Sequence, residues 1–121
     1  SMIKRLAGIN LSSKDPRALA EFYQKLGVKV LTEDPDAINY DGVEMGFDVR
    51  KAIIWIWSAD KWGTNAGSEG ASLVFNCNDL EQTYQNFKTQ GISCDPPYTA
   101  VWGGKELRLK DPEGNNIVIM E

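Results

Sequence analysis

The feature that most constrains this chain is an internal repeat with an offset of 64 residues. Three residues recur at this offset: Ala7, Asp15 and Gly27 coincide with Ala71, Asp79 and Gly91. The apolar positions between them are kept as well, since residues 9, 11, 23 and 28 match apolar residues at 73, 75, 87 and 92. Because 121 residues is the size of one domain, the repeat predicts a single domain built from two similar halves.

Each half opens with an alternating strand, over 3–12 and 71–76, followed by a helix with recognisable ends. Asp15 before Pro16 is typical of a helix N-cap, and Gly27 of a helix stop; Asp79 and Gly91 repeat this pattern. The apolar stripes predicted to face the core are Leu19, Phe22, Tyr23 and Leu26 in the first helix and Leu80, Tyr84 and Phe87 in the second.

Three further strands are predicted after each helix, separated by turn residues. They cover 28–32, 43–47 and 52–57 in the first half, and 92–101, 106–110 and 117–120 in the second. The chain is therefore predicted to be α+β, with one domain over 2–121 made of βαβββ modules 2–58 and 70–121 and a linker 59–69.

Composition excludes several classes of function. The net charge of −4 without a basic run argues against nucleic acid and anionic membrane partners. No apolar stretch could span a bilayer and the N-terminus has no signal pattern, so a cytoplasmic location is predicted. The absence of histidine excludes Ser-His-Asp and Cys-His mechanisms, and Cys77 and Cys94 are expected to be reduced and structural.

Two motifs carry a family resemblance. The first is Asp15-Pro16 followed by residues 20–27, and the second is residues 102–106 followed by residues 109–115. Together they resemble the vicinal oxygen chelate superfamily of glyoxalase I, bleomycin resistance proteins and extradiol dioxygenases, and the second motif resembles the bleomycin resistance branch. The resemblance implies that the two modules form a curved mixed sheet around a cavity, and that the chain forms a homodimer because an open concave surface needs cover.

In the metal-dependent members of this superfamily, four residues on the first and fourth strands of the two halves hold a divalent cation. The corresponding positions here are Gly8, Trp55, Ser72 and Val118. These residues lack the carboxylate, imidazole or thiolate donors that such a cation requires. We therefore expect no metal and no other cofactor. The activity of the metal-dependent enzymes of the family does not transfer to this chain by resemblance alone.

Strand alternation predicts which side chains line the cavity instead. Trp55 and Trp57 share one strand face and form either a filled core or a stacking platform, which Trp62 and Trp102 could extend. Glu44 and Glu106 are expected to occupy matching places in the two halves. They either hold a cation or a ligand amine as a pair, or are solvated or paired with Arg108 and nearby lysines. On the third strands Met45, Phe47, Leu107 and Leu109 are predicted to face the helices. The candidate ligand-binding residues are Asn10, Glu44, Trp55, Trp57, Ser72, Asn76, Trp102, Glu106 and Arg108.

These residues favour a binding protein over an enzyme, and no catalytic residue is assigned. An aromatic wall suits a flat ligand and the acidic charge modestly favours a cationic one, conditions that bleomycin meets; the resemblance implies that such a drug is captured without chemical change. An alternative is a lyase or dioxygenase with a metal held by unusual ligands such as Glu44, Glu106 and Glu121. A third is an interaction module whose cavity is closed by the tryptophans.

Overall fold

The computed structural model describes residues 2–32 and 40–121, and these residues divide into two units. The first unit comprises residues 8–71, and the second comprises residues up to Ala7 together with residues 72–121. Strand β1 (Ile3–Ser13) crosses this boundary, so that its first residues belong to the second unit.

The first unit contains the first βαβββ module. Its sheet has the strand order β2-β3-β4-β1, in which β4 runs parallel to β1 and antiparallel to β3. After β1 the elements are α1 (Pro16–Lys25), β2 (Lys29–Val30), β3 (Val43–Asp48), β4 (Lys51–Ser58) and α2 (Ala59–Trp62). The predicted linker thus begins with a short helix, and a 3-10 turn, Ser68–Gly70, precedes the second module.

The second unit repeats this arrangement. Strand β5 runs parallel to β8, and β7 is antiparallel to both β8 and β6, giving the order β5-β8-β7-β6 beside the N-terminal part of β1. The elements are β5 (Ser72–Cys77), α3 (Leu80–Thr89), β6 (Tyr98–Thr99), β7 (Lys105–Lys110) and β8 (Asn116–Met120). Two βαβββ modules with mixed sheets confirm the predicted α+β fold class.

Both long helices begin where the capping residues predict. The Asp15 carboxylate accepts a hydrogen bond from the Ala18 amide at 3.0 Å, and Asp79 does the same for the Gln82 amide at 3.0 Å. Each satisfies an amide that the first helical turn leaves without a partner. None of the helices in the described residues is long and apolar enough to cross a membrane.

Each unit has its own apolar core between sheet and helix. In the first unit Met45 and Ile56 pack with Ala20 of α1, and in the second Leu107 and Ile119 pack with Phe87 of α3. Both cysteines are free, and Cys77 is buried in the second core as predicted.

Several local predictions are wrong. Phe22 of α1 and Leu26, which follows the helix, are exposed, because Leu19, Ala20 and Tyr23 supply the contacts of this short helix with the sheet. Phe47 is 62% exposed rather than packed on the helix, since the register of β3 shifts between Met45 and Asp48 and interrupts the alternation. The strands predicted over 28–32 and 92–101 shorten to the two-residue strands β2 and β6.

Candidate functional site

The first unit gathers four of the predicted ligand-binding residues on one face of its sheet. Asn10 pairs with Trp55, Trp55 pairs with Glu44, and Trp57 lies two residues beyond Trp55. Because side chains alternate along a strand, these residues share the face opposite the helix-packed Ile56. Both tryptophans are half-buried and Glu44 is exposed.

The indole of Trp57 is held in place from two sides. Its Nε1–H donates a hydrogen bond to Oδ1 of Asn10 at 3.1 Å. A Cβ atom at Gly42 would come within 3.0 Å of the indole ring, so a side chain at that position would push the ring away. Trp57 is therefore oriented by a polar contact and by a glycine that gives it room.

A second indole stands nearly perpendicular to Trp57. The ring centroids of Trp57 and Trp62 are 6.4 Å apart with an interplanar angle of 78°, an edge-to-face arrangement. Nε1–H of Trp62 donates to the two oxygens of Asp41 at 3.0 and 2.9 Å, and Lys61 pairs with the same carboxylate at 3.1 Å. We call Trp57 and Trp62 the indole corner.

The second unit is organised around Glu106, which is only 4% exposed. Its carboxylate accepts hydrogen bonds from Oη of Tyr98 at 2.7 Å, Nε1 of Trp102 at 3.0 Å and Nε of Arg108 at 2.9 Å. These four residues form what we call the Glu106 cluster. A buried carboxylate with three donors has little capacity left for a ligand cation.

The cluster changes the acidity of its members. Burial opposes the charge of Glu106, yet the hydrogen bonds from Trp102 and Tyr98 and the charge of Arg108 bring its pKa below the ordinary value. Burial and the hydrogen bond to Glu106 raise the pKa of Tyr98 to about 12. Partial burial acts against the guanidinium, but the adjacent carboxylate raises the pKa of Arg108. At neutral pH Glu106 is thus ionised while Tyr98 and Arg108 keep their protons.

The remaining predicted residues of the second unit lie along the same sheet face as the cluster. Asn76 is opposite Met120 in the strand register, and Met120 is opposite Glu106. Oδ1 of Asn76 accepts a hydrogen bond from Nε of Arg5 at 2.9 Å. Ser72 is buried and pairs with Asn116.

The register corrects one prediction. Glu44 pairs with Trp55, and in the second unit the residue that pairs with Val118, the counterpart of Trp55, is Arg108. Glu44 and Glu106 therefore do not occupy matching places, because Glu106 lies two residues before the matching position, Arg108. A shift of two residues keeps a side chain on the same face, so alternation alone could not detect it.

The four positions that hold a cation in the metal-dependent proteins that the sequence resembles do not fit one here. A Cβ atom at Gly8 would overlap the carbonyl oxygen of Ile53, so this backbone has no room for a ligating side chain. Trp55 and Val118 offer no suitable donor, and Ser72 offers one hydroxyl. Within residues 2–32 and 40–121 no group of three or more Cys, Asp or Glu side chains is placed to hold a metal ion.

The alternative metal set also fails within the second unit. Glu121 accepts a hydrogen bond from the amide of Leu80 at 2.8 Å and so caps the start of α3. Glu106 lies on the opposite sheet face, in register with Met120, and its oxygens take three donors. The two carboxylates therefore serve different structural purposes.

Sequence reasoning missed Tyr98, Asp41 and Arg5. Tyr98 reaches Glu106 because a tight turn over residues 100–104 returns the chain, with Gly103 at φ +96° and an amide–carbonyl bond between Ala100 and Gly104. The Gly103-Gly104 pair was a signal for that turn, although not for the hydrogen bond. Nothing in the local pattern around Asp41 or Arg5 indicates their partners.

A family model described as the glyoxalase/bleomycin resistance protein/dioxygenase superfamily matches residues 5–119. Among curated proteins, the uncharacterized protein YetH of Bacillus subtilis (strain 168) is 26% identical over 124 residues, covering 99% of this chain and all of the relative.

Solved structures show the same fold. A glyoxalase/bleomycin resistance protein/dioxygenase superfamily member from Vibrio splendidus 12B01 is 16% identical with a TM-score of 0.62, covering 93% of this chain and 94% of the other. Methylmalonyl-CoA epimerase from Mycobacterium tuberculosis is 16% identical with a TM-score of 0.64, covering 100% of this chain and 89% of the other. At this level of identity the likeness concerns the fold and not the activity.

Proposed function

Because the chain belongs to the glyoxalase/bleomycin resistance protein/dioxygenase superfamily, we propose that it is a metal-independent binding protein of the bleomycin resistance type. In this proposal it sequesters a flat aromatic ligand or antibiotic without changing it chemically. The poor fit of Gly8, Trp55, Ser72 and Val118 to a cation supports binding over metal-dependent catalysis.

The observation that carries the proposal is the indole corner. Trp57 and Trp62 are each oriented by a hydrogen bond from the indole nitrogen, so little side-chain entropy is lost when a ligand stacks on them. The rings meet edge to face, and Nζ of Lys61 lies 4.9 Å from the ring centroid of Trp62, so in this proposal the ligand stacks on Trp57 and contacts Trp62 at its edge. Glu44, exposed beside Trp55, favours a ligand with a positive charge.

The proposal extends to the assembly and the location. We propose a homodimer in the cytoplasm, with neither nucleic acid nor membrane as partner. The net charge of −4 and the absence of a basic run support the exclusion of these two partners. Native mass spectrometry gives the subunit count and the metal content together.

The first test is native mass spectrometry of the purified protein before and after addition of divalent metal ions and then of bleomycin. We expect a dimer that gains no metal and takes up one drug molecule per subunit. One metal ion per subunit would overturn the metal-independent proposal. A dimer that binds neither metal nor drug would remove bleomycin as the ligand.

The second test removes one indole ring of the indole corner. Trp57→Ala should weaken binding of 2-naphthylmethylammonium, a flat aromatic cation, by about tenfold or more. Trp102→Phe, in the second unit, is the matched control and should leave this affinity unchanged. If Trp57→Ala instead loses the folded circular dichroism spectrum, Trp57 is core rather than a ligand platform.

A further inference from the structure

The guanidinium of Arg108 is both anchored and accessible. Its Nε donates to Glu106 at 2.9 Å, while its side chain remains 56% exposed. A guanidinium carries five N–H donors in a fixed plane, so the contacts with Glu106 and Tyr98 engage only part of it. The remaining donors form a fork whose geometry matches a carboxylate.

Two aromatic rings are anchored by the same buried carboxylate. Tyr98 and Trp102 both donate to Glu106, yet they are 41% and 50% exposed. A ring that stays half-exposed while its polar atom is fixed loses little freedom when a ligand packs against it. Glu106 therefore orients a guanidinium and two ring surfaces at once.

The charge of this sheet face is opposite to that of the whole chain. Lys110 lies two residues beyond Arg108 on the same strand face, and Arg5 is tied to Asn76, whose strand position aligns with Glu106. Glu106 is the acidic residue among them, and its charge is already matched by Arg108. These four charged residues thus bring three positive charges and one negative charge to this face, although the net charge of the chain is −4.

We propose that the second unit carries a binding site for the carboxylate of a small aromatic anion, in which Arg108 donates to the carboxylate and Trp102 contacts the ring. Glu106 is a positioning residue that orients both and does not touch the ligand. This site is separate from the indole corner of the first unit. The proposal rests on contacts within the second unit and does not depend on that corner.

The test uses one ring with three head groups: 2-naphthoate, 2-naphthamide and 2-naphthylmethylammonium. Nuclear magnetic resonance of the ¹⁵N-labelled protein follows the Trp102 indole N–H and the Arg108 Nε–H. We expect naphthoate to shift both signals and to bind at least about tenfold more tightly than the amide, and the ammonium to leave both unshifted.

Variants of Arg108 and Glu106 test the two roles, with an arginine of the first unit as the control. Arg108→Gln should weaken naphthoate binding by about 10- to 100-fold, whereas Arg50→Gln, an exposed arginine of the first unit, should not change it. Glu106→Gln should move the Arg108 Nε–H signal and weaken naphthoate binding, and Glu106→Asp, which keeps the charge, should recover part of the affinity. If Glu106→Gln does not fold, Arg108→Lys still tests the fork, with an affinity between those of wild type and Arg108→Gln.

Equal binding of naphthoate and naphthamide, or wild-type affinity in Arg108→Gln, would overturn the proposal. Naphthoate binding that disappears in Trp57→Ala but persists in Arg108→Gln would place the anion at the indole corner, so that this proposal fails while the proposed function stands. Loss of ammonium binding in Trp57→Ala with unchanged naphthoate binding supports both sites.

Discussion

The two units place opposite charges at the same register position. The first unit presents Glu44 beside Trp55, and the second presents Arg108 beside Val118. Glu44 is exposed, whereas Arg108 is tied to a buried carboxylate. The two modules thus share a backbone arrangement but carry different charges on their sheet faces. Neither face alone predicts whether the whole protein prefers a cationic or an anionic ligand.

The largest expected difference between the units concerns Gly8 and its counterpart Ser72. Gly8→Ser should reduce the free energy of unfolding by about 3 kcal/mol, because the added Cβ overlaps the Ile53 carbonyl. Ser72→Gly should cost only about 1 kcal/mol through added backbone freedom in a strand. Urea unfolding of both variants measures the difference, and equal losses would show that the close approach at Gly8 relaxes.

The next difference concerns the two glutamates. Glu106→Gln should lower the free energy of unfolding by about 2 kcal/mol, because a buried ionised acceptor of three hydrogen bonds is replaced. Glu44→Gln should change it by less than about 0.5 kcal/mol, since Glu44 is exposed. A comparable loss in Glu44→Gln would mean that Glu44 has a structural partner as strong as those of Glu106.

A smaller contrast separates the two asparagines. Asn10→Ala removes the acceptor of the Trp57 indole and should cost about 1 kcal/mol, with a change in the indole N–H resonance. Asn76→Ala removes the acceptor of the exposed Arg5, which water can replace, and should cost about 0.5 kcal/mol. Thermal unfolding of both variants shows which asparagine side chain contributes more to stability. We expect the larger decrease in melting temperature for Asn10→Ala.

The smallest effect is a dependence on pH. Because the folded-state pKa of Glu106 lies below the ordinary value of 4.5, its ionised form stabilises the fold fully above pH 4.5, and this contribution is lost as the pH falls further. The stability difference between wild type and Glu106→Gln should shrink accordingly in acid. Tyr98→Phe removes one donor and so raises the folded-state pKa of Glu106 toward 4.5. In that variant the decline should still begin near pH 4.5, but it should end at a higher pH and its total size should be smaller. An unchanged lower end would contradict the role of Tyr98.

The elements that could be predicted are those encoded by local chemistry. Asp15 and Asp79 mark helix starts because each carboxylate accepts a hydrogen bond from a backbone amide only three residues further along the chain. The 64-residue offset marks the two modules. Phe47 was misplaced because a bulge depends on the strand's partner, which one strand's alternation does not contain.

The candidate site was harder to predict than the fold. Trp57, Trp102 and Glu106 are recognisable as residue types that suit a ligand, but their partners are not. Asn10, the partner of Trp57, lies on another strand, and Trp102 reaches Glu106 only because of the turn before β7. The role of Glu106 changes from ligand contact to support only when Tyr98, Trp102 and Arg108 are seen to converge on it. The contacts of a long side chain follow from tertiary structure rather than from spacing.

The division of β1 between the two units bears on the order in which the chain folds during synthesis. Residues 8–71 form an uninterrupted segment, whereas the second unit needs residues before Gly8 and after Ala71. At about 5 to 20 residues per second, the first unit is available roughly 3 to 10 seconds before Met120 is added. Limited proteolysis of stalled nascent chains should find the first unit protected while the second is still cleaved. In that interval residues 3–7 lack strand β5, their neighbour in the sheet of the second unit.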